Sequence, residues 1–343
     1  MRNQIQPQES PEILAFDDMQ QRLFAFEALL RNQSTMQAVE PGSKLERAGL
    51  AVIEMLASYK KEIPHDRKRD YREEWRRAVS LSDILRKVLF WQKHPAFNQL
   101  WPHILLLLGD GEIAQNVWSP KEDGDANKVF ELYSALLALP LCNGITMDDP
   151  ERSSGGTNPD IIAEIAGTKW TFACKVMHSP LAKSLLDRVR DGITQINRSV
   201  AHKFAQRGIV VISLKNVLRH NELWPIVVEP GTQDIIYQTY PDAKSLRQLL
   251  ECECKRYQTE LLQLLGGAQG FRDVFAGSSA EPFILVHLCT VVGLVYDSKP
   301  THSLIRMLGC INVDPLSSDA QSLCEGLNEV LQDTYLAPPS ATN

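Results

Sequence analysis

Apolar residues recur at helical spacing through the first third of the chain: Leu23, Phe26 and Leu29-Leu30, then Leu50, Ile53 and Leu56, then Ile84, Val88 and Leu89. Repeats of three and four mark one buried face of a helix, so residues 11 to 117 read as helical. Between two of these helices, Lys60 to Arg77 holds eight basic and five acidic residues. It reads as the exposed, salt-bridged start of the third helix. Polar turn residues then gather from Ser119 to Asn127, where Asp125 or Asn127 is placed to cap a helix running to Leu139.

Beyond that loop the period changes. Strands are predicted over Asp160–Ile165 and Lys169–Met177, joined by a short turn at Ala166-Gly167-Thr168. A helix follows from Leu181 to Gln206, then a buried strand from Gly208 to Leu214. Another helix runs from its cap at Asp242 to Leu265 and ends at Gly266-Gly267. Strands near Phe283–Val295 and Leu304–Val313 and a helix from Ser317 to Leu331 close the pattern. The order predicts an α/β class with an α+β mixed sheet. A helical domain at 13–120 precedes a second domain at 121–334, and residues 1–12 and 335–343 read as disordered ends.

Composition narrows the class. At 343 residues, 44% hydrophobic and 23% charged, the chain can bury a core. Its best apolar run, Phe283 to Val295, is 13 residues long, too short to span a bilayer. The polar amino terminus lacks the apolar stretch of a secretory signal. Seven cysteines without a CxxC pair argue against a disulfide framework or a zinc ribbon. Cys252 and Cys254, two apart on a helix, should point to different sides. A reduced, cytoplasmic protein is expected.

The net charge of −6 conceals an asymmetry: Ile165 to His220 carries ten Lys or Arg against Asp187 and Asp191, a local +8. Such a surface attracts polyanions, although a solvated helix face is the plainer explanation of charge alone.

The strand around Lys175 carries the chemistry. Phe172, Cys174 and Val176 share one face, and Thr171, Ala173 and Lys175 the other. A lysine in the middle of an apolar strand needs a partner or a cleft. The hairpin brings Asp160 to it. Phosphodiester hydrolysis uses such groups: hard Mg²⁺ or Mn²⁺ binds carboxylates, and a nearby lysine offsets growing negative charge.

With Pro159-Asp160, then Ala173-Cys174-Lys175, the chain resembles the PD-(D/E)xK nuclease superfamily, which has the restriction-endonuclease-like fold. The resemblance covers Asn127 to Leu214, about a quarter of the chain. It implies Asp160 as a metal-binding aspartate, Lys175 as the catalytic lysine and the Cys174 main-chain carbonyl as a further metal contact. Glu131 matches an acid many members place on the preceding helix. Gln195 matches a glutamine of exonuclease-like branches. Position 173 departs from the pattern, with alanine where an acid is expected. The implied activity is Mg²⁺- or Mn²⁺-dependent cleavage of DNA, with RNA not excluded. By analogy only, such folds often serve defence against phage or plasmids. A protein partner docking on the helical domain, and self-association, stay open; no membrane partner is expected.

Residue by residue, simpler readings stand beside these. Glu131 is equally a solvated helix residue. Gln195 reads as a polar surface position on a stripe with Arg188, Asp191, Arg198 and His202, opposite a core stripe of Leu185, Val189, Ile193, Ile196, Val200 and Phe204. With Lys183, the basic members of the polar stripe are the candidate nucleic-acid contacts. Cys174 should be core-facing, which argues against a cysteine nucleophile. Ala173 has three explanations: a glutamate replaced to hold substrate, a non-catalytic DNA-binding relative, or compensation by Glu164 or Glu131. A further reading makes the helical domain the functional part of a regulatory interaction protein.

Overall fold

Strand β3, Thr168–Val176, sends consecutive side chains into different cores. Trp170, Phe172, Cys174 and Val176 join a cluster with Phe26, Leu85, Phe130 and Leu136. Ala173 and Met177 join a second cluster with Leu185, Val189, Ile193 and Val210. One-residue alternation therefore buries both faces of the strand, and helices must cover both.

The computed structural model describes residues 16–32, 42–59, 66–150, 159–296 and 299–332. The disordered ends expected at 1–12 and 335–343, the loop residues 151–158 and the start of the charged stretch at Lys60 lie outside them. The fold is mixed α/β, built on a seven-stranded sheet. Strands β1 (Cys142–Met147), β2 (Ile161–Ile165) and β3 are antiparallel neighbours. Strand β4 (Arg207–Ser213) lies parallel to β3. Strands β5 (Ile226–Val228) and β6 (Ile235–Tyr237) form a separate hairpin. Short β7 (Thr239–Tyr240) runs parallel to the far half of β8 (Ala280–Tyr296), which is parallel to β4 and antiparallel to β9 (Lys299–Asn312).

On one face lie α1 (Phe16–Asn32), α2 (Lys44–Tyr59), α3 (Arg72–Trp91), α4 (Trp101–Leu105), α5 (Gly124–Ala138) and α10 (Ser318–Leu331). On the other lie α6 (Ala182–Ala201), α8 (Ala243–Leu264) and α9 (Ala268–Phe275). A short α7 (His220–Leu223) follows β4. The first core draws residues from both sides of the Ser119–Asn127 loop, so the amino-terminal helices pack directly on the sheet layer.

Several expectations change. The cap of α5 is Asp123, whose carboxylate accepts the Ala126 N–H at 2.8 Å, rather than Asp125 or Asn127. Leu50 and Ile53 are exposed because α2 buries Leu45, Ala48, Ala51 and Val52 instead. The start of α3 is salt-bridged but not wholly exposed: Arg72 is buried and donates to the Trp224 carbonyl at 2.6 Å. Helix α6 ends at Ala201, and Lys203 turns into the left-handed region with φ of 61°, so Phe204 leaves the core stripe and is 46% exposed. Strand β1 and helix α9 add to the elements that the sequence predicts. The cap expected at Asp242 holds, and Ser317, the expected start of the last helix, caps α10.

Candidate functional site

The β2–β3 hairpin positions the site. Its turn places Ala166 and Gly167 at φ of 49° and 78°, the doubly left-handed geometry whose twist suits two antiparallel strands. The register then pairs Ile161 with Phe172 and Ile165 with Thr168. Asp160, just before β2, is carried to the level of Cys174, whose backbone N–H donates to Asp160 Oδ2 at 2.7 Å.

Around that carboxylate a ring closes. Lys175 Nζ donates to Asp160 Oδ2 at 3.1 Å, to the Cys174 carbonyl at 3.1 Å and to Gln195 Oε1 at 2.6 Å. Gln195 Nε2 donates in turn to Asp160 Oδ1 at 2.8 Å. Asp160 is 6% exposed and Gln195 4%. Gln195 therefore does not sit on a stripe turned away from the core. It lies at the edge of the buried face of α6, where Gly192 and Ser199 are also buried. Burial pushes the Asp160 carboxyl above its ordinary range and repulsion from Glu131 adds to this, while Lys175, Gln195 and the Cys174 N–H act against it.

Glu131 enters from α5 and is buried rather than solvated. Its Oε2 accepts from Lys128 Nζ at 2.9 Å and lies 3.6 Å from His103 Nε2. That histidine is 1% exposed, and its Nε2 has no hydrogen-bond partner. Burial works against the charge on Lys128, but Glu131, then Asp160 and Asp148, hold its ammonium above the usual lysine range. Asp148, buried just beyond β1, donates its backbone N–H to the Asp160 carbonyl at 3.2 Å. Sequence reading missed Lys128, His103 and Asp148. The i,i+3 spacing of Lys128 and Glu131 was the one available signal; nothing local points from His103 to Glu131.

Ala173 is fully buried beneath α6. Glu164 pairs in register with Lys169 near the turn, four residues and about 13 Å along the strand from Asp160 at ~3.3 Å per residue. Of the two acids considered as substitutes, Glu131 is the one whose charge acts on the Asp160 carboxyl. Cys174 faces the core, and burial raises its thiol well above the ordinary range, with Asp160 and Glu131 adding to the effect. All seven cysteines are free, with Cys252 exposed and Cys254 buried.

The basic segment divides. Lys183, Arg198 and His202 are exposed, and half-buried Arg188 lies 3.6 Å from Asp191. Arg207 is bound by Glu281 and Asp319. Lys215 is not surface at all: it is 1% exposed, and burial brings its amine down to about 8. Lys169, Lys183, Arg190, Arg198, Lys203 and Arg219 remain as the exposed cations.

Among the described residues, no three His, Cys, Asp or Glu side chains gather to hold a metal between them. No described helix is long and apolar enough to cross a membrane. Compared with known proteins, the chain matches no family model, no curated protein and no solved structure.

Proposed function

We propose that the chain has a restriction-endonuclease-like core whose site acts on the phosphodiester backbone of DNA, with metal-dependent hydrolysis impaired by Ala173. The closed ring of Asp160, Lys175 and Gln195 is the observation that carries this reading. Three residues from separate segments, each expected from the resemblance, meet at hydrogen-bond distance, and Glu131 adds its charge from α5.

The donor set suits a hard divalent cation. Mg²⁺ commonly takes one or two carboxylates and keeps several waters. Asp160 and Glu131 are buried carboxylates that repel each other, a charge arrangement that a cation relieves. Those two and the Cys174 carbonyl are the groups that would hold Mg²⁺ or Mn²⁺, which would supply charge stabilisation at the phosphoryl oxygens. Lys175 contributes an ammonium that donates to a phosphate oxygen or orients the attacking water. Gln195 fixes the direction of that ammonium. Lys183, Arg188 and Arg198 on α6, with His202 just past its end, supply phosphate contacts along the backbone.

One observation favours a second reading, in which DNA is bound but not cut. Both Asp160 oxygens already accept from protein donors, and position 173 is filled by packing. Supercoiled plasmid separates the two readings. The Ala173→Glu variant is expected to nick it with Mg²⁺ and not with EDTA, and the added change Lys175→Ala to abolish nicking. If neither Ala173→Glu nor the unaltered chain cleaves DNA or RNA, hydrolysis is overturned. Salt-dependent duplex binding would then favour the non-cutting reading.

A further inference from the structure

The acids at this site are already partly neutralised, and by a residue outside the ring. Lys128 lies one helical turn before Glu131 on α5, with its Nζ 2.9 Å from Glu131 Oε2. Its side chain is 17% exposed and that of Glu131 7%, so Lys128 has the greater access to solvent of the two. Besides Glu131, its charge faces Asp160 and Asp148. Buried carboxylates that face one another need a counter-charge or they lose their protonation balance.

A second observation points into the same place. His103 Nε2 is buried without a hydrogen-bond partner and is aimed at Glu131 Oε2 from 3.6 Å. The seat thus has a polar wall from α4, an acid from α5 and another from the start of β2. A lysine ammonium is a compact point charge on a flexible stem. It can leave toward water without disturbing the helix that carries it.

We propose that Lys128 is a tethered cation that holds the seat beside Glu131 and Asp160 and competes there with a divalent metal ion. This inference rests on the metal-centre reading above. It deepens that reading by naming the residue that sets how much metal the site requires. The ammonium and the metal ion repel each other at this range, so binding of one displaces the other. With Ala173 supplying no carboxylate, the lysine has the advantage at low metal concentration.

Calorimetric titration of the full chain with Mn²⁺ at low ionic strength tests the competition. Lys128→Met, which keeps the stem and removes the charge, is expected to bind Mn²⁺ at least about tenfold more tightly than the unaltered chain. Lys128→Arg should bind like the unaltered chain, and adding Asp160→Asn to Lys128→Met should cancel the gain. Melting provides a readout independent of activity. Lys128→Met should melt lower in EDTA and recover with Mn²⁺ by more than the unaltered chain does. Lys128→Gln, which keeps a donor for Glu131, runs in parallel as the milder change for folding. Equal Mn²⁺ binding by Lys128→Met, Lys128→Gln and the unaltered chain overturns the tethered-cation role and leaves the metal centre standing. No Mn²⁺ binding by any of them overturns both.

Discussion

Gly192 on α6 lies over Ala173 on β3: a Cβ built on the glycine would sit 3.4 Å from the Ala173 Cβ and 3.0 Å from both Val210 methyls. The missing side chain lets the helix approach the sheet closely. That approach brings Gln195, three positions later, onto Lys175 and Asp160. Gly192→Ala is therefore expected to cost about 1–3 kcal/mol in urea unfolding, the usual range for overpacking. Unchanged stability would show that α6 does not depend on this contact.

Placing an acid at position 173 must thread a side chain into the same gap. In EDTA, Ala173→Glu should lose about 1–3 kcal/mol, because its carboxylate enters a buried, already acidic place. Mg²⁺ should return part of that loss. A variant equally stable with and without metal would argue against cation binding beside Asp160.

Removing the bridge tests the ring itself. Gln195→Leu takes the donor from Asp160 Oδ1 and one acceptor from Lys175 Nζ. Leaving such buried groups unsatisfied costs about 1–3 kcal/mol. Gln195→Glu supplies an acceptor to Lys175 but places a third acid near Asp160 and Glu131, so its deficit should shrink as pH falls from neutrality. Denaturant melts across pH read both effects.

Lys215 offers a change in the stabilising direction. Its amine, brought down to about 8 by burial, is 3.4 Å from the Ala114 carbonyl. Its folded pKa lies below the unfolded value near 10.4. The cost of the buried charge is thus present in full below pH 8 and relieved as pH rises toward 10.4. Lys215→Met should raise stability at pH 7 by on the order of 1–3 kcal/mol, with the gain fading at high pH. A loss at pH 7 would mean that the ammonium is better satisfied than this geometry shows.

Two core histidines predict acid sensitivity. His287 has no partner on either ring nitrogen, and burial lowers it to about 3. His220, between Thr290 Oγ1 and the Lys215 carbonyl, is lowered to about 4, again chiefly by burial. Both are neutral when folded, so no stability is lost above the unfolded value near 6.5. Below it the unfolded chain takes up protons that the folded chain refuses. Each histidine then removes up to about 1.4 kcal/mol per pH unit. His287→Phe should flatten the fall between pH 6 and 4 in thermal melts. An unaltered slope would assign the fall to other groups.

The sequence by itself determined the local geometry. Period-two alternation put Phe172, Cys174 and Val176 in one core and Ala173 in the other. The Ala166-Gly167 turn fixed the register that brings Asp160 to Lys175. Glycines and short polar side chains marked the ends of α8 and the start of α10. These are consequences of near-neighbour sterics and hydrogen bonding, which a few consecutive residues carry.

Tertiary packing decided the rest. Gln195 and Arg198 share a helix face, yet Gln195 is buried because Lys175 and Asp160 satisfy its amide. Glu131 and Glu164 both stood as possible substitutes for the missing acid, but the Glu131 charge acts on Asp160, while strand rise carries Glu164 toward the turn. Lys215, counted as surface charge, lies inside because the segment after β4 packs against Ala114, whose carbonyl is 3.4 Å from its Nζ. His103 joined the site only through the packing of α4 on α5. Side-chain environment depends on which distant segment arrives opposite, and the spacing of residues along one segment does not encode that.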